Sequence, residues 1–177
     1  EICGDLWGQS NPHQALYQKG ADIVFNISAS TFYLGKDDIR RSLISTVSSK
    51  YSGAYLYVSS GPSDSTSDVT FSGHQIASVC GETILDDKTF SLDTKVNYVD
   101  VDLEYIRFAR YSDGYARDSK VVEQNFIPFE LIESPNYLLE KLPDLEPFVP
   151  KTKDEFEEII NVTSISLKHR LDHIGIQ

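Results

Sequence analysis

The feature that most constrains this chain is a pair of short apolar runs, residues 21–28 (ADIVFNIS) and 54–59 (AYLYVS), β-branched and aromatic with little polar alternation. Runs of this kind read as strands buried on both faces. Between them, Ile39, Leu43, Ile44 and Val47 fall on one helical stripe, with Asp37 or Asp38 as the cap and Gly53 as the stop. Ahead of them, residues 12–19 (PHQALYQK) predict a short helix opened by Pro12 and closed by Gly20, and residues 1–3 the end of a strand. The order β-α-β-α-β implies neighbouring strands joined by crossover helices, hence an α/β sheet.

Beyond residue 59 the character changes. Residues 59–68 (SSGPSDSTSD) are a polar loop, and shorter β-like runs follow at 69–71, 75–79, 83–85 and 96–101, separated by Gly73, Gly81 and Asp86-Asp87. These predict an antiparallel, hairpin-rich extension of the sheet. Residues 103–111 (LEYIRFARY) read as a short helix. Residues 112–151 carry Pro128, Pro135, Pro143, Pro147 and Pro150 with little periodicity, and read as an extended interdomain arm. Thr152 and Glu155 then make a capping box. It opens an amphipathic helix through Phe156, Ile159, Ile160, Thr163, Leu167, Leu171 and Ile174, closed by Gly175. The expected organisation is a domain over 1–111, an arm over 112–151 and a leading helix over 152–177.

Composition excludes several partners. A formal charge of −11 is repelled by nucleic acid and by anionic membranes. No apolar run approaches the roughly 20 residues of a membrane-crossing helix, and no basic-then-apolar leader stands at the start. Two cysteines, Cys3 and Cys80, are too few for a disulfide framework, and a reducing cytoplasm is the default, although one bridge between them stays open. The sequons at Asn26 and Asn161 lie in apolar, structured contexts and read as accidental. Methionine is absent, and the chain starts directly on a strand-like segment, so further sequence is expected ahead of Glu1.

Cys3 sits where a buried strand ends and a turn begins, before Gly4-Asp5. Backbone amides and helix N-termini at such a place favour a thiolate. A lone cysteine is more often a small core residue than a nucleophile. Ser30 and Lys36 read, on their own, as a turn or cap residue and a solvated helix flank. His169 and His173 have a zinc-like spacing, but no glutamate follows His169 and no third ligand is near, so solvated helix polarity is the simpler reading and no metal is expected. His74 after Gly73 suits a turn or a domain contact; Asp100, Asp102 and Glu104 suit an exposed face running into a helix. Ser59-Ser60-Gly61 does not make the Gly-x-Ser-x-Gly elbow of a serine hydrolase.

Taken together, EICGDLW at 1–7, NPH at 11–13, GADIVFNISAS at 20–30, an aromatic, Gly35-Lys36 and Arg40-Arg41 resemble the nucleophile region of the nitrilase superfamily. They are most similar to the glutaminase half of glutamine-dependent NAD synthetases. SGPSDSTSDVTFSGH at 60–74 resembles the same subfamily, and the tail from PFVPKTKDEFEEI to LKHRLDHIG resembles the linker and first helix leading to its synthetase domain. The resemblance implies the second half of a nitrilase-type αββα sandwich. It also implies Cys3 as the nucleophile that attacks the glutamine side-chain amide, with Ser30 and Lys36 as glutamine-binding residues.

The family's catalytic glutamate and lysine precede the cysteine, and its phosphate loop follows the leading helix. The resemblance therefore places these parts outside 1–177 and implies no glutaminase activity from these residues alone. In the parent it implies ATP and magnesium, deamido-NAD as the amidated substrate, a homo-oligomer and a cytoplasmic location. Gly4 departs from the pattern, since the family commonly has an acidic residue after the nucleophile. Two other readings stay open: a stand-alone amidase or nitrilase, which has no use for the 145–175 tail, and a non-catalytic interaction module with an inert Cys3.

Overall fold

Alternating strand and helix signals resolve, in a computed structural model, into a four-stranded sheet flanked by helices. The structure describes residues 1–114 apart from 34, 67, 70 and 89–93, together with 127–130, 145, 149–153, 156, 157, 160, 171 and 175. The elements are α1 (Pro12–Gln18), β1 (Ile23–Ser28), α2 (Lys36–Lys50), β2 (Ala54–Ser59), β3 (Gln75–Val79), β4 (Glu82–Asp87) and α3 (Leu103–Ser112), with 3-10 turns at Cys3–Trp7 and Pro62–Asp64. Strand order is β1-β2-β3-β4. β1 and β2 run parallel, Ile23 beside Ala54 and Ser28 beside Ser59, as a crossover through α2 requires. β3 and β4 extend the sheet antiparallel. Ile2 adds a parallel bridge to Ile27.

Local chemistry sets the joints. Pro12 opens α1 at its first turn. α2 starts on Gly35, whose φ of 81° is left-handed, and not on a side-chain cap; Asp37 and Asp38 instead lie in its first turn, where they complement the helix dipole. Cys80 (φ 48°) and Gly81 (φ 95°) form a two-residue turn with both dihedrals positive, the geometry that joins β3 to β4 without splaying them. α2 grips that turn. Ser45 Oγ donates to the Gly81 carbonyl at 2.6 Å, and the Gly81 N–H donates to Ser48 Oγ at 3.0 Å. Asp102, not a strand residue, caps α3 by accepting from the Tyr105 N–H at 2.9 Å.

The main core lies between the sheet and α1–α2: Leu6, Tyr17, Val24, Ile44, Val47, Tyr55, Tyr57 and Ile76. On the opposite face Ile106 of α3 packs with Ala54 and Val79. Arg107 and Arg110 pin α3 to Asp22.

Several expectations need correction. β1 is not buried on both faces: Val24, Asn26 and Ser28 face the helices, while Phe25 and Ile27 stay 59% and 68% exposed. Val58 on β2 is exposed on the same side. The buried stripe of α2 runs through Lys36, Arg40, Ile44, Val47 and Ser48, leaving Ile39 outside. Residues 96–101 form no strand, and neither do Val69 and Phe71.

The chain divides into two units, Glu1–Glu140 and Lys141–Gln177. In the second, the Phe156 N–H donates to the Thr152 carbonyl, and Lys153 pairs with Glu157 one turn on. Most of the predicted arm and leading helix, including His169 and His173, lies outside the described residues. Among the described residues no helix is long and apolar enough to cross a membrane.

Candidate active site

Residues 1–3, expected as the end of a strand, make only an isolated parallel bridge from Ile2 to Ile27, and Cys3 opens the 3-10 turn with a φ of 47°. A left-handed conformation at a residue with a Cβ is strained, and persists only where its surroundings enforce it. Those surroundings are visible. The Ile2 N–H donates to the Asp5 carboxylate at 2.8 Å, while the Asp5 N–H donates back to the Ile2 carbonyl at 3.1 Å. Asn11 Nδ2 donates to the Asp5 carbonyl at 2.5 Å. One residue before Ile2, the Glu1 side chain is wholly buried. Its Oε1 accepts from the His13 N–H and from His13 Nδ1, and its Oε2 accepts from the Tyr55 hydroxyl. The segment leading to the thiol is thus anchored to α1 and β2. Cys3 itself is half-buried, and both cysteines are free, so no bridge joins them.

Lys36 opens α2 and is buried, contrary to its reading as a solvated flank. Its Nζ donates to the Thr31 carbonyl at 2.6 Å and lies over the rings of Trp7 (5.2 Å) and Tyr33 (5.0 Å). Burial holds its pKa below the ordinary lysine value, the neighbouring Arg40 lowers it further, and Cys3 acts in the opposite direction. The structure therefore brings Cys3, Trp7, Tyr33 and Lys36 to one rim at the carboxyl ends of the parallel strands, where ligands of α/β sheets bind. Ser30, in the loop after β1, is buried as well, and its carbonyl accepts from Arg40 Nη2 at 2.8 Å.

Three residues were given no role of their own by the sequence: Glu1, His13 and Arg40. Arg40 had a usable signal, since 36, 40, 44 and 47 fall at helical spacing on one face. His74, expected at a turn or a domain contact, lies outside any turn and directly ahead of β3. It is buried on the sheet, with Nε2 hydrogen-bonded to Asp86 at 2.7 Å. Among the described residues no group of three histidines, cysteines or carboxylates could hold a metal ion.

No family model matches the chain. It is 27% identical over 183 residues to the glutamine-dependent NAD(+) synthetase of Mycobacterium tuberculosis, covering 97% of this chain and 27% of that protein. The enzyme of the same name from Drosophila melanogaster is 34% identical over 113 residues, 63% of this chain and 14% of its own. The chain thus spans about a quarter or less of the length of these relatives. Among solved structures, a carbon-nitrogen hydrolase from Helicobacter pylori matches with a TM-score of 0.53 at 19% identity, covering 68% of this chain and 45% of that one. That likeness speaks for the fold. The chain is thus similar along nearly its whole length to a segment of glutamine-dependent NAD(+) synthetases, and its fold matches part of a carbon-nitrogen hydrolase.

Proposed function

We propose that Cys3 is the nucleophile of a glutamine amidohydrolase. Its thiolate attacks the side-chain amide carbon, and a carbon–sulfur bond forms as the carbonyl oxygen takes the negative charge. Collapse of that intermediate breaks the carbon–nitrogen bond, and the nitrogen leaves as ammonia after taking a proton from a general acid. Water then cleaves the thioester, releasing glutamate and restoring the thiol. The observation that carries this reading is the strained turn at Cys3, held beside the buried Lys36 ammonium and the Trp7 and Tyr33 rings.

Free glutamine presents an α-carboxylate and an α-amine, so its site needs a cation and a hydroxyl near the nucleophile. Lys36 and Ser30 fill those roles. The base and the oxyanion-stabilising cation are assigned to a glutamate and a lysine outside residues 1–177, so these residues expressed alone release no ammonia from glutamine. In the longer parent the ammonia serves ATP-dependent amidation of deamido-NAD, with ATP and magnesium held by a synthetase domain in a cytoplasmic homo-oligomer.

Iodoacetamide labelling of the full-length protein tests the assignment. Cys3 is expected to alkylate readily, and glutamine to protect it. An unreactive Cys3 returns the chain to a non-catalytic module. Reactivity that a simple aliphatic amide suppresses, and glutamine does not, makes it a general amidase.

A further inference from the structure

Arg40 has no solvent exposure, and among the described residues no carboxylate pairs with it. A buried cation is costly unless its donors are met, and the partners it finds are mostly carbonyls. Nη2 donates to Ser30 O at 2.8 Å and to Thr31 O at 3.3 Å, and Nη1 donates to Ser72 Oγ at 3.3 Å. The guanidinium lies 5.7 Å from the Tyr57 ring centre, and its Nε is unpartnered. The Thr31 carbonyl is also the acceptor for Lys36 Nζ. One planar group thus joins α2, the loop carrying Ser30, and the segment entering β3, and it shares an oxygen with Lys36. A fixed fork of donors imposes geometry that a flexible side chain does not.

We infer that Arg40 is a positioning residue for substrate, holding the Ser30–Thr31 backbone and the Lys36 ammonium in the arrangement that admits glutamine. The inference rests on the glutamine site proposed above. Arg40 touches no substrate; it acts through the carbonyls it holds. A purely structural staple would disturb the Cys3 turn and the substrate contacts alike, whereas a positioning role loosens glutamine and leaves the thiol as reactive as before.

The test uses the full-length protein and two readouts: the alkylation rate of Cys3 by iodoacetamide without glutamine, and the glutamine concentration that halves it. Arg40→Gln is expected to raise that concentration roughly tenfold or more, the scale of lost hydrogen bonds to a charged group, with the unprotected rate within about twofold of the parent. Arg40→Lys keeps the charge with fewer donors and is expected to fall between the two; it decides the matter where Arg40→Gln does not fold. Unchanged protection in a folded variant overturns the inference, as does an unprotected rate that falls in step with protection. Absence of glutamine protection in the unsubstituted protein overturns the glutamine site itself and this inference with it.

Discussion

Glu1 and His13 are joined twice: the same carboxylate oxygen, Oε1, accepts from the His13 main-chain N–H at 2.7 Å and from the ring Nδ1 at 2.8 Å. The second oxygen accepts from Tyr55, whose hydroxyl is held protonated by burial and by that carboxylate. Both oxygens of a buried carboxyl side chain are thus engaged, two residues before Cys3. Glu1→Gln replaces one oxygen with a donor facing donors, and is expected to destabilise the fold by about 2–4 kcal/mol. His13→Ala should cost a similar amount. Urea midpoints of the two variants and their double mutant check this. Additive losses would show that the pair is not coupled.

The turn at Cys3 makes a prediction that separates strain from chemistry. Cys3→Ala removes the thiol and keeps a Cβ in the left-handed region; Cys3→Gly removes both. Neither variant should release ammonia in the full-length protein, yet Cys3→Gly should be about 1 kcal/mol more stable than Cys3→Ala. Equal denaturation midpoints would mean that the backbone at this position carries no strain.

Acid should weaken the fold through His74 and Asp86. Burial pushes the His74 pKa below its ordinary value of 6.5, against the pull of Asp86. Burial alone would raise Asp86, but the His74 and Arg41 hydrogen bonds outweigh it and hold the carboxyl below 3.8. Both groups bind protons more readily unfolded than folded, so stability rises with pH across each window. The His74 contribution is complete above about pH 6.5 and is lost as the ring is forced to charge. The Asp86 contribution is complete above its unfolded value and disappears as pH falls through the folded one. Melting curves from pH 7.5 to pH 3 should show both declines. His74→Gln should flatten the first, and an unchanged slope between pH 7 and pH 5 in that variant would remove His74 as its source.

Gly53 is fixed by a ring. A Cβ there would stand 2.3 Å from Tyr17 Cε1. Tyr17 cannot easily give way, being stacked on Tyr51 with centroids 5.3 Å apart and donating to the Ala54 carbonyl at 2.7 Å. Gly53→Ala is expected to cost about 1–3 kcal/mol. Gly53→Ala in a Tyr17→Leu background should cost clearly less, and an equal penalty would place the strain in the backbone instead.

Much of this fold was legible because its signals are local. The β2 and β3 strands, helices α1, α2 and α3, and the parallel crossover follow from apolar period, Pro12 and the β-branched runs. What stayed hidden depends on partners far along the chain. An apolar run does not reveal which face finds cover, so Phe25 and Ile27 read as buried. Arginine usually prefers water, and nothing near Arg40 announces that carbonyls at 30 and 31 will receive it. Glu1 and His13 are similarly silent until the strand and α1 meet. Cys3 was visible as a strand-end thiol, but its dihedral was not, and Lys36 acquires its meaning only from the rings of Trp7 and Tyr33.

The clasp of Ser45 and Ser48 on the β3–β4 turn bears on the rhythm of opening and closing in solution. Tips of hairpins ordinarily trade their amide protons for deuterium within moments, because they fray before anything else. Gly81 donates its proton to a hydroxyl on α2 and offers its carbonyl to another. Release of that proton requires the strand pair to lift from the helix, so the outermost corner of the sheet keeps time with its middle.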